Sequence, residues 1–154
     1  MAATTAPRFD RMIPAAPDSV GSLRRELRRW ARRSGAPAAV QERIALAFSE
    51  ACALIVGPDA DDHPERGPLI LQAWIDGDEL GVRVSHRARG VAAAPQEVGY
   101  GFGLALMAGL CDRFEVRRRD DRPGTALLMI FRLDPELQPE RSSRLRPSHS
   151  SLRR

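Results

Sequence analysis

Lysine is absent from this sequence, and all 24 of its Lys or Arg positions are arginine. Such uniformity looks like the codon bias of a GC-rich genome, so arginine abundance alone says little about partners. The formal net charge is only +4. Five arginines against Asp134, Glu136 and Glu140 give the segment from Asp134 to Arg154 a charge of +2, which leaves +2 for everything before it. That balance is too even for a strong nucleic-acid footprint. Long apolar runs are also missing, and none approaches the ~18–20 residues of a membrane span. The opening stretch MAATTAPRFDRMIPAAP lacks the apolar centre of a secretory signal, so a cytoplasmic protein is expected. Only two cysteines occur, Cys52 and Cys111. Both sit in apolar helical patterns, where a thiol behaves as a small buried hydrophobe, and no metal-binding spacing is present.

The chain's 154 residues suffice for one domain and are too few for two ordinary ones. Residues 1–17 mix Ala, Pro and Thr without periodicity and read as a flexible N-terminal arm. Val20, Leu23, Leu27, Trp30 and Ala31 then recur at helical spacing, with Asp18 or Ser19 as N-cap and Gly35 and Pro37 as the stop. The opposite face carries Arg24, Arg25, Arg28, Arg29, Arg32 and Arg33, which suits either a solvated surface or a partner-binding one. A second helix is predicted over Ala38–Val56, ended by Gly57 and Pro58; its broad apolar stripe demands deep burial on one side.

The breaker-rich stretch GPDADDHPERGP reads as a loop. LILQAWI and ELGVRVSH follow as strands joined by a tight DGD hairpin. RARGVAAAPQEVGYG has no durable periodicity and is expected to be a long surface excursion, a feature that often carries function. A third helix should begin near Gly101 and carry Leu104, Leu106, Met107 and Leu110. FEVRRR and TALLMIFRL complete the pattern as strands connected by DDRPG. Helix, helix, strand, strand, helix, strand, strand implies an α/β sandwich over residues 18–133, with helices on one face of a sheet. Residues 134–154, rich in Arg, Ser and Pro, read as a disordered tail.

Within this frame GYGFGLALMAGL places Gly99, Gly101 and Gly103 at alternate positions directly before a helical stretch. Such a junction lets backbone N–H groups approach a phosphate closely. It equally suits a loop that needs positive φ angles.

LAFSEACAL, VRVSHRARG, GYGFGLALM and PGTALLMIF together resemble, in order and separation, the motifs of the GHKL (histidine kinase/HSP90-like) ATPase superfamily. More narrowly, they resemble those of the small bacterial anti-sigma factors that double as serine-protein kinases. The resemblance covers roughly Ser19 to Leu133 and implies a Bergerat-type fold, with helices on one face of a mixed, mostly antiparallel sheet. It implies ATP and Mg²⁺ as cofactors. Glu50 stands where the family has its general base, and His86 where a carboxylate accepts the adenine amino group. Gly90 keeps the second glycine of the adenine-side turn, and Ala88 replaces the first. Gly99, Gly101, Gly103 and Leu104 fall in the phosphate lid, and Thr125 in the Gly-Thr pair before the last strand.

One helical turn after Glu50 the family places an Mg²⁺-ligating Asn, and this chain has Leu54. A leucine offers no oxygen to a cation that demands oxygen ligands. An imidazole at position 86 cannot anchor the contacts of two carboxylate oxygens. The resemblance therefore implies a regulator that binds a sigma factor, an anti-sigma factor antagonist and a second copy of itself, with ATP binding weakened or lost. Two alternatives stay open. One is an active ATP-dependent serine kinase in which Asp59, Asp61 or Asp62 supplies the missing metal ligand. The other is a nucleic-acid-binding protein that uses the arginine face.

Overall fold

In the computed structural model, which describes residues 8–56, 66–88, 97–118 and 124–134, eight elements follow one another. They are β1 (Arg8–Ile13), α1 (Pro17–Arg33), α2 (Ala38–Val56), β2 (Arg66–Asp76), β3 (Glu79–Ala88), α3 (Glu97–Leu110), β4 (Arg113–Arg118) and β5 (Gly124–Arg132). The strands form one sheet in the order β1-β2-β3-β5-β4. Every pairing is antiparallel, so the mixed sheet of the expectation narrows to an antiparallel one. All three helices pack on a single face of it.

Period-two alternation builds the core. Leu69, Leu71 and Ala73 of β2, Leu80, Val82 and Val84 of β3, and Leu127, Met129 and Phe131 of β5 are buried beneath the helices. Leu23, Leu27 and Ala31 supply the buried stripe of α1, while Ile44, Ala47, Phe48, Ala51 and Cys52 of α2 fill the centre. The β2–β3 hairpin closes with Asp76 opposite Glu79, leaving a two-residue Gly77-Asp78 loop. Gly77 takes φ +59°, a left-handed value that glycine adopts without a Cβ clash. No helix among the described residues is long and apolar enough to cross a membrane.

Three expectations need correction. The arm expected over residues 1–17 is structured at Arg8–Ile13, which pairs along β2 from Arg8↔Trp74 to Ile13↔Leu69. A single buried side chain, Phe9, holds that strand to the core, its ring 5.8 Å from that of Trp30. Six residues with one anchor give too little alternation to read as a strand. The cap of α1 is Ala16, without a side-chain bond, because Pro17 at the first helical position already supplies a helical φ and needs no acceptor. Asp18 lies instead within the first turn, where its charge complements the helix dipole. Finally, α3 begins at Glu97, four residues before Gly101, so Gly99, Gly101 and Gly103 lie inside the helix and not in a loop ahead of it. Residues 1–7 of the expected arm and residues 135–154 of the expected tail lie outside the described residues.

Candidate functional site

The described residues singled out by sequence lie on the C-terminal half of α2, on the first half of α3 and at the paired ends of β3 and β5. His86 and Thr125, taken from separate motifs, are direct cross-strand partners in the β3–β5 ladder, and Leu69 stands opposite His86 on β2. Both follow the buried residues Val84 and Leu127 by two or precede them by two, so they share the helix-covered face of the sheet.

Glu50 and Leu54 lie one turn apart on the same side of α2. Glu50 is half-buried and makes no ion pair among the described residues. Leu54 packs against α3, and a β-carbon placed on Gly103 would come within 3.0 Å of Leu54 Cδ2. The third glycine of the alternate set is therefore the one that lets two helices touch. Half-buried Leu104 follows it.

Inside a helix only the first four amides lack an intrahelical acceptor. Within α3 those belong to residues 97–99, which include Gly99; the amides of Gly101 and Gly103 point back into the helix. Any anion contact through the amides of α3 is thus confined to its start. Ala88 is paired with Arg66 in β3, and no non-glycine residue among those described has a positive φ, so Ala88 carries no left-handed strain. Gly90 lies outside the described residues, as do Asp59, Asp61 and Asp62.

These donors do not fit Mg²⁺. One carboxylate, Glu50, faces a hydrocarbon, Leu54, that is already seated on Gly103, whereas the ion requires several oxygen ligands in near-octahedral array. The chain contains no asparagine at any position, and no group of three or more His, Cys, Asp or Glu among the described residues could hold a metal. Burial pushes the Cys52 thiol up to about 12. The Cys111 thiol rises to about 12 for the same reason, opposed by the nearby Arg43 charge and assisted by that of Asp112. Neither is a nucleophile near neutral pH.

Two features escaped sequence reading. Arg43 of α2 donates to the Leu110 carbonyl (3.3 Å) and pairs with Asp112 (3.5 Å), whose carboxylate also accepts the Arg132 N–H (2.7 Å). Arg43 is the one cation of α2, and that isolation was the available signal. The arginine face of α1 also divides. Arg24 donates to Ser49 Oγ (3.3 Å), Arg28 pairs with Glu42, and Arg25 donates to Ser22 Oγ (3.3 Å). Arg29, Arg32 and Arg33 are exposed and make no ion pair among the described residues.

Residues 13–131 match the family model of the histidine kinase-like ATPase domain. A solved structure, the RsbU and RsbW domains of Rv1364c from Mycobacterium tuberculosis, is similar over 82% of this chain and 32% of its own, with a TM-score of 0.61 and 20% identity. The chain therefore spans about a third of that protein's length, and a likeness at this identity concerns the fold alone. No curated protein matches.

Proposed function

The chain belongs to the histidine kinase-like ATPase domain family, and from that premise we propose that it is an anti-sigma-factor-like regulator that works by binding partner proteins, with ATP binding weakened or lost. The observation that supports this reading is Leu54 seated on Gly103. Domains of this family bind ATP with Mg²⁺, and here hydrocarbon stands where a metal ligand would, in contact with the helix that would meet the phosphates. Phosphoryl transfer draws nearly all its catalysis from metal-assisted positioning of charge. Glu50 on its own can orient a hydroxyl but cannot neutralise phosphate oxygens.

The partners of this reading are a sigma factor, an anti-sigma factor antagonist and a second copy of the chain, in the cytoplasm. The solved relative is itself described as carrying an RsbW domain, which supports the choice of regulator over metabolic enzyme. The exposed Arg29, Arg32 and Arg33 offer a charged surface for association. Glu50, His86, Gly90, Gly99, Gly101, Gly103, Leu104 and Thr125 are, in this reading, the remains of a nucleotide site.

Calorimetric titration with Mg-ATP tests it. Each lost polar contact costs about 1–3 kcal/mol. Two such losses predict affinity at least about 100-fold below that of a relative with Asn and Asp at the positions of Leu54 and His86. Leu54→Asn combined with His86→Asp should recover part of the deficit. Micromolar, magnesium-dependent affinity in the unaltered protein would overturn the proposal in favour of an active serine kinase.

A further inference from the structure

The face of the sheet turned away from the helices takes no part in the chemistry above. Strand alternation puts Met12, 63% exposed, beside Ile70 at one end of this face. At the other end Trp74 stands opposite Gly81, which in turn pairs with Ile130. A β-carbon at Gly81 would run into the Trp74 indole. Glycine at that point therefore lets the ring lie across the neighbouring strand as a half-exposed apolar plate, and no helix among the described residues covers it. Next to the ring lies a depression of about 280 Å³ lined by Arg8, Asp10, Gln72, Trp74 and Arg83.

The charges around the plate are unevenly matched. Asp10 accepts from Gln72 Nε2 (3.1 Å), Glu79 is paired with Arg113 (2.7 Å), and Glu115 with Arg117 (2.8 Å). Arg8 and Arg83 make no ion pair among the described residues. Arg8 stands beside Trp74 and Arg83 beside Gln72, so two strand spacings and a two-residue offset separate their backbones by about 12 Å across the depression. Carboxylates at alternate positions of an extended segment lie about 7 Å apart and, with their side-chain reach, can meet both guanidinium groups.

We propose that this face docks an acidic segment of another protein, with an apolar or aromatic side chain laid on Trp74 and carboxylates on Arg8 and Arg83. The inference stands apart from the nucleotide reading, because none of its residues touches α2 or α3. A second copy of the chain is a poor occupant. Two-fold packing sets a patch against its own image. With Arg83 midway along the central strand of five, a two-fold axis near the centre of the face would set the unpaired arginines of the two copies close together. Nucleic acid fits no better, since the two unpaired arginines, Arg8 and Arg83, supply too few phosphate contacts to hold it at physiological salt.

The test uses the full chain as bait for a displayed random-peptide library, followed by fluorescence anisotropy on the selected peptides. Winners should combine two or more Asp or Glu with Trp, Phe or Leu. Binding should fall about tenfold or more with Trp74→Ala and with Arg83→Glu. A peptide with its matching acid changed to arginine should regain affinity for Arg83→Glu, a rescue that loss of folding cannot mimic. The proposal is overturned if selected peptides bind Arg83→Glu as well as the parent protein. It also fails if sedimentation shows a dimer that Arg83→Glu dissociates, which would assign the face to a second copy. Single-stranded DNA binding lost in the same variant would likewise sink it, as would Trp74 fluorescence that shifts on removal of residues 135–154.

Discussion

The C-terminal end of α3 and its middle, at Gly103, are held by different kinds of chemistry. At the C-terminal end, Arg43 caps the Leu110 carbonyl and pairs with Asp112, whose carboxylate and backbone N–H bind the Arg132 N–H and the Ile130 carbonyl of β5. The Arg43 guanidinium also sits 6.0 Å from the centre of the Phe131 ring. These bonds are directional and partly shielded from water. At mid-helix, the close contact is Leu54 against the bare backbone of Gly103. The C-terminal end adds charge to the apolar packing of Met107, and the contact nearer the sequence-predicted site is hydrocarbon. Four glycines in α3 each cost about 1 kcal/mol relative to alanine. The helix therefore owes its existence to docking, and the way each half docks decides how firmly it holds.

The largest test of this contrast removes the polar end. Asp112→Ala deletes the partner of Arg43 and leaves the Arg132 N–H without its acceptor, so thermal or urea unfolding should register a loss of about 2–4 kcal/mol. An unchanged melting curve would show that α3 is held by its apolar contacts alone. At mid-helix, Leu54→Ala should cost less, about 1–2 kcal/mol for a half-buried side chain. It should speed amide exchange over residues 99–103 while the protection of β3 and β5 stays intact.

Glycine replacements sharpen the comparison further. Nothing lies within 4 Å of a β-carbon at Gly109, so Gly109→Ala should stabilise the protein by about 0.5–1 kcal/mol. Gly103→Ala should lose that gain to the 3.0 Å approach of Leu54. Equal stabilisation by both would mean that Leu54 yields freely.

The smallest effect concerns the thiols. Because burial raises both cysteines to about 12 from 9.0, their contribution to stability is complete below pH 9 and is lost as pH climbs toward 12, where the unfolded chain releases protons that the folded one retains. With no lysine in the sequence, few other side chains titrate there to obscure it. In the native protein at pH 8 a thiol reagent should label neither cysteine. Asp112→Ala should release Cys111, next to the polar anchor, before Cys52.

Much of this architecture was legible in the sequence. Helix α2 runs over the predicted Ala38–Val56 because Gly57 and Pro58 follow a long apolar pattern. The β2–β3 hairpin was visible in DGD, and β5 in a nearly continuous apolar run. Strand β1 was hidden because its core-facing positions read Phe9, Arg11, Ile13, and the arginine between the two apolar residues breaks the alternation that marks a strand. The start of α3 was misplaced because helix propensity penalises each glycine separately, whereas the tertiary contact at Gly103 rewards one of them. At the site, the His86–Thr125 pairing follows from ladder register, which motif order alone does not specify. The Arg43–Asp112 bond joins residues 69 apart in sequence and carries no local signature.

The position of β5 also dictates a timetable for folding. It is the last strand in the chain, yet it lies between β3 and β4, and β4 has no other neighbour in the sheet. Strands β2 and β3 can zip together as a local hairpin, whereas β1 joins β2 only across 56 to 66 positions, from Ile13 with Leu69 to Arg8 with Trp74. Closing β3 onto β5 joins residues 37 to 53 positions apart, from Arg87 with Gly124 to Glu79 with Arg132, and that loop entropy falls due before the ladder repays it. Helix α3 lies within this loop, and its polar anchor needs the Arg132 amide and the Ile130 carbonyl of β5. The polar anchor of the segment nearest the candidate site is thus completed only once β5, the last strand of the chain, has paired.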